Sequence, residues 1–340
     1  MNVSRLRQFI QIIAFGLLVY GGLINIDLTH YLPVYSCTFN DAKGGSCFLA
    51  GLQCILTKPF DQYSLDNWWP LLRLTKWILY TVLFFVVLNK AWCGWLCPLG
   101  TISDWFTILR KRINIEFTRF SWLTHDKLKS IKYILLFLLI ILSIGIGNSL
   151  FGLPRLTNDL HVPFCQICPA RPLIPLFTAD FSQFFIDFKN TTTIVMSMLG
   201  MTLFGVFLAG AFVKKRFWCA YCPIAAFTSL FDNLGLMQLK KDGQRCTKCG
   251  NCSRVCDMEI KEIAEERNRE NIITQDCSLC MKCVEVCPED KALKVTYLGK
   301  AIFTASNEGF LRRQGILEKN SNGNYINNKR SKQGEKGDSV

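Results

Sequence analysis

Histidine is scarce in this chain of 340 residues, which contains only His30, His125 and His161. None of them lies in a long apolar segment, so the paired axial histidines of a membrane haem are missing. The sequence also lacks a phosphate-binding loop, a dinucleotide fingerprint and a nucleophile triad. These absences count against haem-, nucleotide- and triad-based chemistry.

Acidic residues are also few, because 26 Asp and Glu stand against 39 Lys and Arg. The net charge of +13 does not indicate nucleic-acid binding, since the cations cluster beside apolar segments and not on a recognisable binding fold. Half of the residues are apolar. That share, with cations flanking apolar runs, is typical of an integral membrane protein in contact with lipid.

Four apolar segments are predicted to span the membrane: residues 8–26, 68–89, 133–154 and 190–213. The first follows a basic flank, Arg5 and Arg7, and no small-residue cleavage site comes after it, so we interpret it as a retained anchor. The segment Phe217–Phe231 is apolar but shorter, and we expect one helix lying along the interface.

Lysine and arginine concentrate in residues 90–132 and 214–216, whereas the loops at 27–67 and 155–189 contain few. The excess of cations on one side predicts that both termini are cytoplasmic. The sequence also repeats: span, cysteine-bearing loop, span, cysteine pair ending in Cys-Pro. The two halves have the same orientation, so they are predicted to be parallel repeats about an axis along the membrane normal.

That axis brings two inner pairs together, Cys93 with Cys97 and Cys219 with Cys222. Four thiolates are the ligand count of one iron–sulfur cluster. Two reduced dithiols or a structural zinc site are the alternatives. We favour the cluster, because a redox domain follows in the chain.

After Lys241 the chain becomes charged and carries two matching cysteine runs of the bacterial two-cluster ferredoxin type, in which the fourth cysteine of each run serves the other cluster. The spacing assigns one [4Fe–4S] cluster to Cys246, Cys249, Cys252 and Cys287, and a second to Cys277, Cys280, Cys283 and Cys256. Zinc knuckles or a reduced cysteine cluster fit two matching runs poorly.

The motifs Cys93-Gly-Trp-Leu-Cys97-Pro98 and Cys219-Ala-Tyr-Cys222-Pro223, four spans and a double-cluster segment together resemble the NapH/NosR-type membrane ferredoxins over residues 1–300. The second pair has two intervening residues where the family has three. The resemblance implies quinol oxidation that feeds a partner oxidoreductase or cytochrome subunit, with quinone as substrate. It also admits an accessory role in maturation or redox regulation of a metalloenzyme.

The loops on the outer side carry five further cysteines: Cys37, Cys47, Cys54, Cys165 and Cys168. Disulfides are the default in an oxidising compartment. Since Cys165-x2-Cys168-Pro169 repeats the inner pattern, an outer cluster is the open alternative. Nearby His30 and His161 are expected to be solvated or locally hydrogen-bonded, and Trp92, Trp95 and Trp218 to belong to the interfacial belt.

The expected architecture is an α-helical membrane domain over residues 1–239 and an α+β ferredoxin domain over 240–300. Residues 301–340 are rich in Asn, Lys, Gly and Ser toward the end, and we expect a largely disordered cytoplasmic tail. The function expected is electron transfer between the quinone pool and a partner oxidoreductase, as a quinol dehydrogenase subunit.

Overall fold

The computed structural model describes residues 3–25, 36–45, 47–58, 68–114, 130–147, 162–186, 188–313, 317–319 and 325–327. These divide into two compact units. The helical unit is Leu6–Gly235, and the C-terminal unit is Leu236–Val340 together with Met1–Arg5. The two units are described separately below.

The helical unit is built from long apolar helices joined by short ones. Its α-helices are α1 Val3–Tyr20, α2 Phe48–Leu56, α3 Trp68–Leu88, α4 Ala91–Trp95, α5 Pro98–Arg112, α6 Ile131–Gly147, α7 Pro163–Ile167, α8 Ala170–Leu176, α9 Thr191–Val213 and α10 Pro223–Thr228. Single 3-10 turns follow or separate them at Gly21–Ile24, Ser182–Phe184, Phe217–Ala220 and Ser229–Phe231.

Within the described residues, Val3–Ile24 and Thr191–Val213 are long and apolar enough to cross a membrane. Leu74–Leu88 and Ile131–Ile146 are apolar but shorter. The first helix begins five residues before the expected start at residue 8, so Arg7 lies inside it and is buried. The expected end of the third span, after residue 147, lies outside the described residues.

Local chemistry ends these helices where the sequence turns polar. Thr193 Oγ1 accepts the N–H of Asn190 at 3.1 Å and caps the start of α9. At the other end the chain leaves the helix at Lys214, which is extended, and turns at Arg216, which has a φ of 48°. Asn89 ends α3 in the same left-handed conformation, which asparagine tolerates better than most residues.

The core of the helical unit is aromatic. Phe85 of α3 and Phe207 of α9 have no exposed surface. Phe48 packs edge-on against Phe85 at 5.5 Å between ring centroids and stacks on Trp77 at 5.1 Å. Phe207 contacts Trp218 at 6.4 Å. This packing carries helices from both halves of the sequence into one core.

Two expectations about the apolar segments are wrong. Phe217–Phe231 is not one helix, because the chain is extended at Cys222 and a new helix starts at Pro223. Trp92 and Trp218 are not belt residues: both are buried in the core, where Trp92 contacts Phe84 at 5.2 Å. Their indole rings fill space between helices at the point where each cysteine pair begins.

The C-terminal unit surrounds a three-stranded antiparallel sheet of order β1 Met237–Lys241, β2 Leu293–Tyr297 and β3 Lys300–Thr304. Leu239 of β1 pairs with Val295 of β2, and both are buried. One-turn helices α11 Asn251–Val255, α12 Glu262–Glu265 and α13 Lys282–Glu285 lie between β1 and β2 in the sequence, and α14 Asn307–Arg313 follows β3.

The tail was expected to begin at residue 301; its first part contains β3, which pairs with β2, and α14. Farther on, β4 Leu317–Lys319 pairs with β5 Tyr325–Asn327. Because β2 pairs with β1 on one edge and with β3 on the other, its amide and carbonyl groups have hydrogen-bond partners on both edges. Composition alone does not predict this pairing.

Truncation of Phe207 to alanine is expected to lower the free energy of unfolding by roughly 3 kcal/mol, because it leaves a cavity in the core. Its neighbour Val206 is 48 % exposed and is the matched control, with an expected change within about 0.5 kcal/mol on conversion to alanine. Unfolding of the detergent-solubilised protein followed by circular dichroism measures both, and equal effects would contradict the assignment of this core.

Candidate metal centres

The first cavity of the C-terminal unit is lined by all four cysteines of one predicted ligand set: Cys246, Cys249, Cys252 and Cys287. It encloses about 360 Å³, part of it open to solvent. Cys287 lies within electrostatic range of the other three thiols, although it is remote from them in sequence. The fourth ligand therefore reaches this cavity from the second cysteine run.

The second cavity is lined by the other set: Cys256, Cys277, Cys280 and Cys283. It encloses about 400 Å³. Here the remote residue is Cys256, which lies near Cys277 and Cys280. Cys283 is close to Cys252 as well, so the two cavities are neighbours.

Left-handed backbone positions shape both cysteine loops. The residues two and four places after Cys246 are Lys248, with a φ of 56°, and Gly250, with a φ of 75°. The residues two and four places after Cys277, which are Leu279 and Met281, have φ values of 46° and 63°. The same turn geometry therefore wraps each run of three thiols around its cavity.

Burial raises the pKa of the Cys256 thiol to about 12 and that of Cys287 to about 11. These thiols are protonated at neutral pH in the absence of a metal. Binding of iron must then release protons, since the thiolate is the ligand. The donor set, four cysteine sulfurs around each cavity, fits a [4Fe–4S] cluster.

In the helical unit the four inner cysteines also lie together. Cys93 is within electrostatic range of Cys97 and Cys219, and Cys222 is within range of all three. Cys93 and Cys97 come from the first half of the sequence and the other two from the second half. The four thiols that the repeat is predicted to bring together therefore lie near one another.

The backbone presents these thiols in the same way in both halves. Cys97 and Cys222 are extended, with φ and ψ of −63° and 121° and of −66° and 124°, and each precedes a helix that begins with proline. The N–H groups of Leu99 and Gly100 lie near the Cys97 sulfur, and that of Ala225 lies near the Cys222 sulfur. Thiolates are favoured at such helix N-termini, where N–H groups lack carbonyl partners.

A buried charge network lies against this group. Asp104 Oδ2 accepts from Arg7 Nη2 at 2.9 Å, from Gln11 Nε2 at 2.8 Å and from Arg216 Nη2 at 2.8 Å. Arg216 also donates to the carbonyl oxygen of Cys93 at 3.3 Å, and Gln11 to that of Gly94 at 3.1 Å. The network thus connects the backbone at the first inner cysteine pair with Arg216, which directly precedes the segment that contains the second pair.

This network was not predicted, because Arg7 and Arg216 were counted as interfacial cations. The signal in the sequence is Asp104 itself, the one acidic residue between positions 67 and 115. A single carboxylate in an apolar, cation-flanked segment is costly unless it is paired. Lys90 is similarly buried and pairs with Asp232.

The outer cysteines divide into two groups. Cys37, Cys47, Cys165 and Cys168 lie within electrostatic range of one another. Cys54 lies two turns along α2 from Cys47, beside Lys58. His30 and His161 fall outside the described residues. In the described ranges, no three His, Cys, Asp or Glu side chains are grouped closely enough to hold a single metal ion.

Comparison with known families gives two matches. A 4Fe-4S binding domain matches residues 70–116 and 196–241, which contain the two inner cysteine pairs. A 4Fe-4S dicluster domain matches residues 238–288, which contain the eight cysteines of the C-terminal unit. The chain is distantly similar to the ferredoxin-type proteins NapH and MauN and to the regulatory protein NosR. It is an iron–sulfur, ferredoxin-type electron transport protein.

Individual relatives are distant. An uncharacterized protein of Methanocaldococcus jannaschii is 28% identical over 222 residues, which are 64% of this chain and 77% of that protein. The ferredoxin-type protein NapH of Escherichia coli is 24% identical, over 64% of this chain and 66% of NapH. The putative electron transport protein YccM of Escherichia coli is 27% identical, over 62% and 53%.

The chain therefore spans just under two thirds of NapH and about half of YccM. No solved structure matches this protein. The matched domains leave out Cys37, Cys47, Cys165 and Cys168.

Replacement of Asp104 by asparagine is expected to lower the free energy of unfolding by roughly 3 kcal/mol, because it leaves two buried guanidinium groups without their carboxylate. We also expect a lower iron content, since the backbone of Cys93 and Gly94 loses its anchor. Asp41 is exposed, and Asp41→Asn is the matched control. Iron assay and thermal unfolding measure the two effects; an Asp104→Asn protein as stable as the control would refute the role given to the network.

Proposed function

We propose that this protein is a membrane quinol dehydrogenase subunit that passes electrons between the quinone pool and a partner oxidoreductase. The observation that carries the proposal is the meeting of Cys93, Cys97, Cys219 and Cys222 in an apolar helical unit whose chain continues into a two-cavity ferredoxin unit. A bound [4Fe–4S] cluster supplies one-electron transfer at each site.

The surface of the helical unit supports a position in lipid. All four long helices expose large apolar side chains, and the most exposed on each are Phe9 at 62 %, Leu79 at 66 %, Phe137 at 63 % and Val195 at 56 %. Water-soluble proteins rarely expose apolar surface on such a scale. We propose that α1, α3, α6 and α9 cross the bilayer as two parallel repeats, with both termini in the bacterial cytoplasm.

We propose three ligand sets for this function. In the C-terminal unit they are Cys246, Cys249, Cys252 and Cys287, and Cys277, Cys280, Cys283 and Cys256. In the helical unit the set is Cys93, Cys97, Cys219 and Cys222. At the inner set, the backbone N–H groups of Leu99 and Gly100 near Cys97 and the guanidinium of Arg216 near Cys93 favour negative charge on the ligating sulfurs.

The redox balance is simple. A quinol oxidised to quinone gives up two electrons and two protons; each cluster site accepts one electron, and the protons pass to water. The electrons leave singly to the partner oxidoreductase, which is reduced. Arg7, Arg216 and Asp104 together carry one net positive charge, two cations less one anion, beside the inner set. That charge favours the site that holds an additional electron.

The test uses anaerobic protein in detergent, a menaquinol analogue and EPR detection of cluster reduction. The double variant Cys93→Ser/Cys222→Ser should lose about four irons, the content of one cubane. Its remaining clusters should still be reduced by dithionite but no longer rapidly by quinol, because the inner site is the proposed entry. Cys54→Ser is the matched control and should retain both properties.

Two outcomes would contradict the proposal. Unchanged iron in the double variant would remove the inner ligand set. Wild-type protein that holds its clusters but is not reduced by quinol would exclude quinol oxidation and favour an accessory role in maturation or regulation.

A further inference from the structure

We propose that Cys37, Cys47, Cys165 and Cys168 hold a second iron–sulfur cluster in the helical unit, next to the inner one. The purpose of this second cluster rests on the proposed electron-transfer function, but the experiment below tests its presence independently of that function. The four cysteines lie outside the matched family domains. The alternative for the same residues is a pair of disulfides.

All six pairs among these four thiols lie within electrostatic range. Cys37 is near Cys47; Cys165 is near Cys37, Cys47 and Cys168; and Cys168 is near Cys37 and Cys47. Two neighbouring disulfides would also bring the four thiols together, so their proximity alone does not separate the two arrangements. It allows a single four-ligand site to which each repeat contributes two ligands, as at the inner site.

N–H groups lie beside each of the four sulfurs. Backbone N–H groups of Phe39, of Leu49 and Ala50, and of Ala170 lie near Cys37, Cys47 and Cys168 in turn. Gln53 Nε2 donates to Cys165 Sγ at 3.3 Å. Hydrogen bonds from N–H groups stabilise a negatively charged sulfur, which a metal-bound cysteine has and a disulfide does not.

Gln53 is the informative residue of this set, because it is a fully buried amide. Its Oε1 accepts the N–H of Phe164 at 2.8 Å, and its Nε2 is shared between Leu49 O at 2.9 Å and the Cys165 sulfur. The amide therefore ties α2 of the first repeat to α7 of the second at the thiol group. A buried polar side chain in this position orients a ligand as other metal-site partners do.

The backbone of the outer cysteines matches that of the proposed ligands elsewhere. Cys47 has φ and ψ of −74° and 130° and Cys168 of −67° and 132°. Cys97 and Cys222 have nearly the same values, and so does Cys256 of the ferredoxin unit, at −67° and 119°. Four of these five extended cysteines follow a short helix that contains another cysteine. Cys47 is the exception.

The outer and inner groups are neighbours, which corrects the expectation that they lie on opposite sides of the membrane. Cys97 of the inner group lies within electrostatic range of both Cys47 and Cys168. An electron that leaves one site can thus arrive at the other without an intervening carrier. Cys54 is placed outside the set because it lies seven residues along α2 from Cys47, about 10 Å by helix rise, although both cysteines pack against the small cluster that contains Cys165.

The test compares iron, sulfide and thiol state in anaerobically purified full-length protein. The double variant Cys47→Ser/Cys168→Ser should lose about four irons and four sulfides relative to wild type. The EPR signals of the ferredoxin clusters should remain. Cys54→Ser is the matched control and should keep the full iron content.

Thiol mapping supplies the opposing result. Wild-type protein is unfolded with a chelator and an alkylating agent, without reductant, and digested for mass spectrometry. We expect alkylation of all four cysteines. Disulfide-linked peptides joining any of these four, with no loss of iron in the double variant, would overturn the proposal.

Two controls keep the outcome unambiguous. If the double variant does not fold, the thiol map of the wild type and its total iron, about sixteen per chain for four cubanes, decide alone. Neither readout uses quinol. A protein with the outer cluster that quinol does not reduce would therefore refute the proposed function and leave this inference standing.

Discussion

The buried carboxylate of Asp104 is the constraint on which the helical unit depends. It accepts hydrogen bonds from Arg7 at the start of the first repeat and from Arg216 at the end of the last long helix. Those cations could be buried only with a shared anion, and the anion could be buried only with them. The carbonyl groups of Cys93 and Gly94 complete the network. The position of the inner cysteines thus depends on the same hydrogen bonds that pair the buried charges.

A small local unit then recurs along the chain. A short turn of helix carries one cysteine, and an extended cysteine follows before the next element starts. The extended backbone turns the sulfur toward free N–H groups, which offset its charge. Repetition of this unit in both halves of the helical unit and in the ferredoxin unit gives a series of thiol groups. Apolar helix faces surround the groups of the helical unit, and turns with positive φ shape those of the ferredoxin unit.

Ligand spacing is a local pattern, so the sequence was enough to group the eight ferredoxin cysteines that line the two cavities. Length and hydropathy were enough for the apolar helices. The sequence-based expectations failed for the buried charged residues. Arg7, Lys90 and Arg216 were taken as interfacial, since no local pattern shows that Asp104 or Asp232 lies beside them. They also failed for Trp92, whose burial depends on partners distant in the sequence. The pairing of β3 with β2 depends on distant partners in the same way.

The central claim is that iron–sulfur clusters held by the cysteine groups transfer electrons through the apolar helical unit. The most direct measurement places the protein in vesicles with ferricyanide enclosed and dithionite added outside. Dithionite is oxidised, enclosed ferricyanide is reduced, and the protein is the only route between them. The account predicts rapid ferricyanide reduction with the wild-type protein and a rate near that of protein-free vesicles with Cys93→Ser/Cys222→Ser. Equal rates for the two proteins, with iron lost only from the variant, would contradict it.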